Sequence, residues 1–159
     1  MSRLTVIGIG SPFADDRVGW SIVELLRASG QADAWGVHVV MTVCRSPGSE
    51  LLSLLMNTDI AIIVDAVRCY GAPGTIYRMS EMESPLAKIR TLSSHGLDLH
   101  TMRALAGTLG HDPETMILYG IEAGHENGES MEMCQSVQRA ADRVVEYIRR
   151  DVTALCPPS

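Results

Sequence analysis

The stretch VIGIGSPFADDRVGW, residues 6–20, decides the fold because it joins an apolar strand to a helix through a glycine-containing loop. The loop opens like one that binds nucleotides. However, Phe13 breaks the G-x-G-x-x-G pattern of dinucleotide sites, and no Gly-Lys-Ser/Thr of a P-loop follows. The loop carries Asp15 and Asp16 instead, and two carboxylates would repel a phosphate. We therefore expect it to face a positively charged ligand.

Outward from this stretch, strands alternate with helices. Apolar residues at helical spacing follow the first, second and fourth strands and predict a helix after each. A last helix is predicted from Cys134 onward, where apolar residues recur at intervals of three and four. This alternation predicts an α/β fold: a three-layer sandwich with a twisted, mostly parallel five-stranded sheet and helices on both faces. With 159 residues and no linker or repeat, residues 1–159 form a single domain. The strands are predicted at residues 3–9, 37–43 and 60–65, after the Ala72-Pro73-Gly74 turn, and at 115–121.

Composition narrows the classes of function. The net charge of −6 disfavours nonspecific binding to nucleic acid or to an anionic membrane. No apolar run is long enough to span a bilayer, and the first one is too short for a signal peptide, so we expect a cytoplasmic protein. The four cysteines form no C-x-x-C pair, which argues against a zinc ribbon. We expect them to be reduced, small, buried hydrophobic residues.

Acidic residues follow two strands of the predicted sheet. Ligands of such sheets bind outside the carboxyl ends of the strands, near a topological switch point. Asp15 and Asp16 follow the first strand and Asp65 ends the third. One of the first pair suits a helix N-cap, which leaves the other for a ligand. A carboxylate buried at Asp65 needs a helix N-terminus, an arginine or a metal.

A histidine completes a candidate metal site. His95 lies four residues before Leu99 on a helical apolar stripe, so it is expected to face the sheet. Two carboxylates and an imidazole suit a divalent transition metal with positions left open for substrate. Asp16, Asp65 and His95 are therefore the candidate ligands. Each residue also has a simpler explanation when taken alone. Asp16 could act as a helix cap, Asp65 could be a structural carboxylate, and His95 could be a hydrogen-bonded histidine of the core. His125, in a glycine-rich loop, is a further candidate.

Two other classes share parts of this pattern. A phospho-receiver domain also has acids after strand one and an aspartate after strand three, which bind magnesium. A receiver domain has its lysine after the fifth strand, whereas Lys88 here lies before the fourth helix. The acid pair of a receiver also follows its strand directly, whereas the five residues 10–14 separate the first strand from Asp15 here. A Rossmann-like dinucleotide binder is the second alternative, weakened by the broken glycine pattern.

Four segments of the chain resemble the hydrogenase maturation endopeptidases. VIGIGSPFADDRVGW resembles the family's G-x-G-N-x-L-x-x-D-[DE]-x-x-G segment, and CRSPGSELLSLL its glycine turn and leucine-rich helix. IIVDAVRCYGAPGTIYRM resembles its D-A…P-G-T block, and LSSHGLDL its S-x-H-x-L-x-L block. Ser11 replaces the usual asparagine, the first loop is one residue shorter, and GIEAG replaces G-I-E-P. The shorter loop leaves Asp15 and Asp16 both open, although the spacing to Gly19 favours Asp16.

The resemblance implies a twisted, mainly parallel sheet between helix layers and a defined reaction. In that reaction, one cut removes a C-terminal extension from the precursor of the nickel–iron hydrogenase large subunit once nickel is inserted. The nickel-recognising residues map onto Asp16, Asp65 and His95, and the nickel arrives with the substrate subunit. G-x-S-x-G and H-E-x-x-H motifs are missing. An aspartyl-type dyad of Asp16 and Asp65 is conceivable, but the D-[ST]-G setting of aspartic proteases is absent. With the nickel docked on the site, we expect either that a carboxylate, Asp16 or Asp65, activates water or that the metal polarises the scissile carbonyl.

Overall fold

The computed structural model describes residues 2–36, 38–45, 48–80, 99–124 and 131–157. It contains a five-stranded sheet in which four strands are parallel and one edge strand is antiparallel. The mostly parallel sheet predicted from the sequence is confirmed. In chain order the strands are β1 (Leu4–Ile9), β2 (Val39–Cys44), β3 (Ile60–Val67), β4 (Ile76–Ser80) and β5 (Thr115–Glu122). Their spatial order is β2-β1-β3-β5-β4, and β4 is the antiparallel strand.

Helices cover both faces of the sheet. A single 3₁₀ turn, Ala14–Arg17, leads into the first α-helix. The α-helices are α1 (Val18–Ala28), α2 (Gln31–Trp35), α3 (Ser49–Met56), α4 (Leu99–Thr108) and α5 (Gln135–Leu155). One apolar cluster joins α1 and α5 to one face of the sheet, and a second joins α3 and α4 to the other face. In the described segments, no helix is both long enough and apolar enough to span a bilayer.

The central strands are buried along their whole length. Every residue of β1 and of β3 is buried, because parallel strands between two helix layers have no solvent-facing side. Alternate residues serve the two cores: Leu4 and Val6 pack towards α1 and α5, and Ile7 and Ile9 pack towards α3 and α4. This is why these strands are apolar throughout and were recognisable from sequence.

Several local predictions were wrong. Strand β3 continues two residues past Asp65, so that aspartate lies inside the strand rather than at its end. The apolar spacing that continues from Leu99 to Leu109 predicts a buried stripe, but α4 ends at Thr108 and Leu109 is exposed. The short helix α2 was not predicted, since five residues carry too little periodicity to be recognised.

The sheet has its topological switch point between β1 and β3. The chain leaves β1 for β2 on one side and then crosses to β3 on the other side of β1. The connections at the carboxyl ends of β1 and β3 therefore diverge and leave a crevice, which is where ligands bind in open α/β sheets.

Two glycines allow α1 to approach this crevice closely. A Cβ on Gly19, in the first turn of α1, would lie 2.2 Å from the carbonyl oxygen of Ile9 and 2.8 Å from that of Val64. A Cβ on Gly8 would lie 2.2 Å from the carbonyl oxygen of Gly19. The helix start is therefore pressed against the backbone of both β1 and β3.

We expect Gly19→Ala to destabilise the protein, because its methyl group would meet main-chain atoms that cannot rotate away. Overpacking of this kind costs about 2 kcal/mol, which corresponds to a fall in Tm of roughly 4–8 °C for a chain of this size. Thermal unfolding followed by circular dichroism measures the effect. Gly107→Ala is the control, since Gly107 lies inside α4 and a Cβ there would meet nothing outside its own helix closer than 3.5 Å, which is an ordinary van der Waals distance. Equal Tm values for the two variants would contradict the packing described here.

Candidate active site

The loop after β1 folds back onto the end of that strand. The main-chain amide of Ser11 donates to the carbonyl oxygen of Asp16 at 3.3 Å. A Cβ on Gly10 would lie 2.4 Å from that same oxygen, so the backbone of Asp16 rests directly on Gly10. Ala14 takes up a left-handed conformation, with φ of 49°, at the start of the 3₁₀ turn. The loop thus places Asp16 beside the end of β1, with its side chain half-buried.

Asp15 has a different task from its neighbour. Its side chain is only 4% exposed. One carboxylate oxygen accepts a hydrogen bond from the amide of Gly124, and the other accepts one from the amide of Cys134, both at 2.7 Å. These bonds tie the first loop to the segment after β5 and to the residue that caps α5. The negative charge also lies at the N-terminus of α5, where the helix dipole favours it.

The prediction that one of the two aspartates acts as a helix N-cap was wrong in its details. Neither the 3₁₀ turn nor α1 has a side-chain cap hydrogen bond. Asp15 binds the amides of two distant segments instead, and both of its oxygens have these main-chain partners. This leaves Asp16 as the better ligand candidate of the pair, in agreement with its spacing to Gly19.

Asp65 is buried in the middle layer of the molecule. It is 1% exposed and lies opposite Gly120 of β5 in the parallel register. It directly follows Val64, whose carbonyl oxygen faces the start of α1. Asp65 therefore lies near the carboxyl end of β3, beside the β1–β3 crevice, and the 3₁₀ turn that carries Asp16 contacts this strand. Both carboxylates that the sequence singled out belong to this crevice.

Glu122 is a third buried carboxylate, and its role was not predicted from the sequence. It is 2% exposed. Its oxygens accept hydrogen bonds from the amide of Cys69 at 2.9 and 3.0 Å and from the amide of Gly71 at 3.0 Å. Glu122 therefore holds the turn that follows β3. The sequence pattern indicated such a role, because Glu122 is an acidic residue at the end of an apolar strand, as Asp65 is near the end of β3.

Two neighbours of Glu122 are held in their neutral forms. Burial, and then the charge of Glu122, raise the pKa of the Cys69 thiol. The same causes, in the same order, raise the pKa of Tyr77. The thiolate is the nucleophilic form of cysteine, so Cys69 is a poor nucleophile at neutral pH.

The cysteines have the predicted oxidation state but only in part the predicted burial. All four carry thiols rather than disulfides. Cys44 is buried as expected, but Cys69, Cys134 and Cys156 are partly exposed. The expectation of four buried cysteines was wrong because three of them lie next to turns and helix ends, where side chains are only half covered.

The third predicted ligand lies outside the described residues. His95 belongs to residues 81–98, and His125 to residues 125–130, so the structure places neither. In the segments that it does describe, no group of three histidine, cysteine or acidic side chains could hold a metal. The Asp16, Asp65 and His95 triad therefore stays a prediction, with its two carboxylate members located at the switch point.

The fold defines an α/β protein, and its buried carboxylates lie near the carboxyl ends of the central strands, beside a topological switch point. Comparison with known proteins identifies the family. The HycI hydrogenase maturation protease family model matches residues 21–151. The hydrogenase 2 maturation protease of Escherichia coli (strain K12) is 31% identical over 121 residues, covering 75% of this chain and 72% of that protein.

Two further proteins are similar to this chain. The hydrogenase expression/formation protein HupD of Thiocapsa roseopersicina is 27% identical over 122 residues, covering 76% of this chain and 54% of HupD. The solved structure of the hydrogenase maturating endopeptidase HybD from E. coli has a TM-score of 0.79 at 23% identity, covering 96% of this chain and 93% of that one. The chain belongs to the hydrogenase maturation protease family and is an endopeptidase. The phospho-receiver alternative has no support among these relatives.

We expect Asp15→Asn to loosen the first loop without removing a ligand candidate. An asparagine has one carbonyl oxygen, so it can accept from only one of the two amides, and its own NH₂ group faces the other. An unsatisfied buried donor costs about 1–3 kcal/mol. Amide hydrogen exchange should show faster exchange at Gly124 or Cys134, together with a lower Tm.

The control for this experiment is Asp142→Asn, which changes an exposed aspartate of α5. It should leave both exchange rates and the Tm unchanged. Unaltered protection of both amides in Asp15→Asn would show that the Asp15 carboxylate does not hold the two segments together.

Proposed function

We propose that this endopeptidase removes a C-terminal extension from the nickel-loaded precursor of a nickel–iron hydrogenase large subunit, in the cytoplasm. The observation that supports the proposal is the contact of the 3₁₀ turn that carries Asp16 with strand β3, in which Asp65 is buried. The engagement of Asp15 by two main-chain amides supports Asp16 as the ligand of the first loop. His95 is the proposed third group.

In this proposal the nickel belongs to the substrate. Two carboxylates held close together repel each other, and a cation between them relieves that repulsion. Asp16 and Asp65, with His95, would therefore bind a precursor that already carries nickel better than one that does not. The recognition of the metal would fix the scissile peptide bond beside the same carboxylates, and such positioning lowers the barrier of a reaction.

Hydrolysis then requires a water molecule to add across the scissile C–N bond. Asp16 or Asp65 could accept the proton of that water as a general base, and the proton would pass to the leaving amine. In the second route, the nickel polarises the scissile carbonyl oxygen and the carboxylates only hold the ion. Asp65 has a part in both routes, either as the base or as a group that holds the ion.

We expect Asp65→Asn and His95→Ala to abolish cleavage of the nickel-loaded precursor. The asparagine preserves the size of the side chain but removes the negative charge that binds the metal or activates water. The measurement is the intact mass of the large subunit after incubation of nickel-loaded and nickel-free precursor with each variant. The wild-type protein should shorten only the nickel-loaded precursor.

Asp142→Asn serves as the matched control, since Asp142 is an exposed aspartate on α5. It should cleave like the wild-type protein. Cleavage by Asp65→Asn at the wild-type rate would refute the role of Asp65, and equal cleavage of nickel-free precursor would refute metal recognition.

A further inference from the structure

A second concave surface lies between the edge strand β4 and helix α5. It is a groove of about 490 Å³, lined by Gly74, Thr75, Ile76, Arg78, Arg143 and Tyr147. This volume falls within the range of about 300–1,000 Å³ found for ligand pockets. None of these residues belongs to the candidate active site.

The groove opens at the carboxyl edge of the sheet, near the candidate active site. The amide of Gly74 donates to the carbonyl oxygen of Glu122 at 2.8 Å, at the end of β5. A Cβ on Gly74 would lie 2.5 Å from the carbonyl oxygen of Ser136 in the first turn of α5. From this end the groove runs along β4 and α5 towards Arg78. There an ion pair of Arg78 with Asp151, 2.9 Å long, joins β4 to α5.

The sheet register gives the distance between the groove and the catalytic crevice. Asp65 of β3 lies opposite Gly120 of β5, and Gly120 lies opposite Tyr77 of β4. Two strand spacings, about 10 Å, separate the backbones of Asp65 and Tyr77. The groove lies on the α5 face of the sheet, whereas Asp65 alternates with Val64 and Ala66 and has the parity of the α3 and α4 face. A chain cut beside Asp65 therefore passes round the carboxyl edge of the sheet to reach the mouth of the groove, a path that an extended segment of about six residues covers.

The groove carries a positive charge in an acidic protein. The chain has a net charge of −6. Arg78 shares its charge with Asp151, but exposed Arg143 has no carboxylate partner among the described residues. The contact of Arg143 with the hydroxyl of Tyr147, at 3.5 Å, is long for a hydrogen bond. One guanidinium group is thus available to an acidic ligand.

We propose that this groove binds an acidic, extended segment of the precursor on the released side of the scissile bond, with Arg143 pairing with a carboxylate. This inference rests on the proposed function. The retained side belongs to the folded subunit that carries the nickel, and it is too bulky for a groove of this size. The extension is a narrow chain, and a single solvent-exposed ion pair holds it weakly enough to let it leave after cleavage.

The test compares Arg143→Gln with Arg150→Gln. Arg150 is an exposed arginine of the same helix, about 10 Å further along its axis, and is not part of the groove. Processing of nickel-loaded precursor by Arg143→Gln should show a KM raised roughly threefold, with kcat and Tm unchanged, as expected for the loss of one exposed ion pair. Arg150→Gln should match the wild-type protein.

Salt and the precursor provide two further readouts. The wild-type KM should rise with salt concentration more steeply than that of Arg143→Gln, because salt screens the ion pair. A precursor in which the acidic residues of the extension are replaced by their amides should raise the KM of the wild-type protein but not that of Arg143→Gln. Equal KM and salt dependence in wild type and Arg143→Gln, while nickel-dependent cleavage continues, would overturn the groove proposal and leave the proposed function standing. Loss of nickel dependence in the wild-type protein would instead overturn the proposed function.

Discussion

The close approach of helix α1 to the backbone of β1 and β3 is the constraint on which the rest of the structure depends. Gly8 and Gly19 meet at a distance that no side chain could tolerate, and Gly19 also lies on Val64. Because of this contact, the acidic loop before α1 lies over the crevice where buried Asp65 is found. A glycine-containing loop that binds phosphate in other α/β proteins presents carboxylates here. The electrostatic preference of the site is thereby reversed, from anions to cations.

Buried carboxylates fix the loops around this crevice. Asp15 accepts hydrogen bonds from main-chain amides more than a hundred positions away, and Glu122 accepts them from amides of the turn after β3. A buried charge is costly unless it is hydrogen-bonded, and these main-chain donors offset that cost. The two residues therefore hold in place the loops that flank Asp16 and Asp65. This arrangement assigns one aspartate of the adjacent pair to structure and the other to the proposed chemistry.

Much of the fold could be predicted from local patterns. The apolar strands and the main helices follow from periodicity, and the mostly parallel sheet follows from the alternation of elements. The strand order, and with it the switch point between β1 and β3, was not predicted. The same signals singled out Asp16 and Asp65, although Asp65 lies inside β3 rather than at its end. The resemblance of four segments to the hydrogenase maturation endopeptidases also led to the correct family.

The remainder depends on contacts between distant parts of the chain. The amide partners of Asp15 and Glu122 come from segments that only the folded chain brings together, so no spacing in the sequence reveals them. The antiparallel direction of β4 likewise depends on its pairing with β5, 41 positions apart at the Arg78–Tyr119 contact. The groove beside Arg143 arises from the same pairing, combined with the packing of α5 against the sheet.

The central claim is that Asp16, Asp65 and His95 share one divalent ion. A crystal structure of the protein with bound Ni²⁺, located by its anomalous scattering, tests this claim most directly. Our account predicts a metal peak about 2.0–2.3 Å from an oxygen of each carboxylate and from a nitrogen of His95. Donor atoms of the three side chains that lie more than about 4.5 Å apart, too far to share an ion, would contradict it.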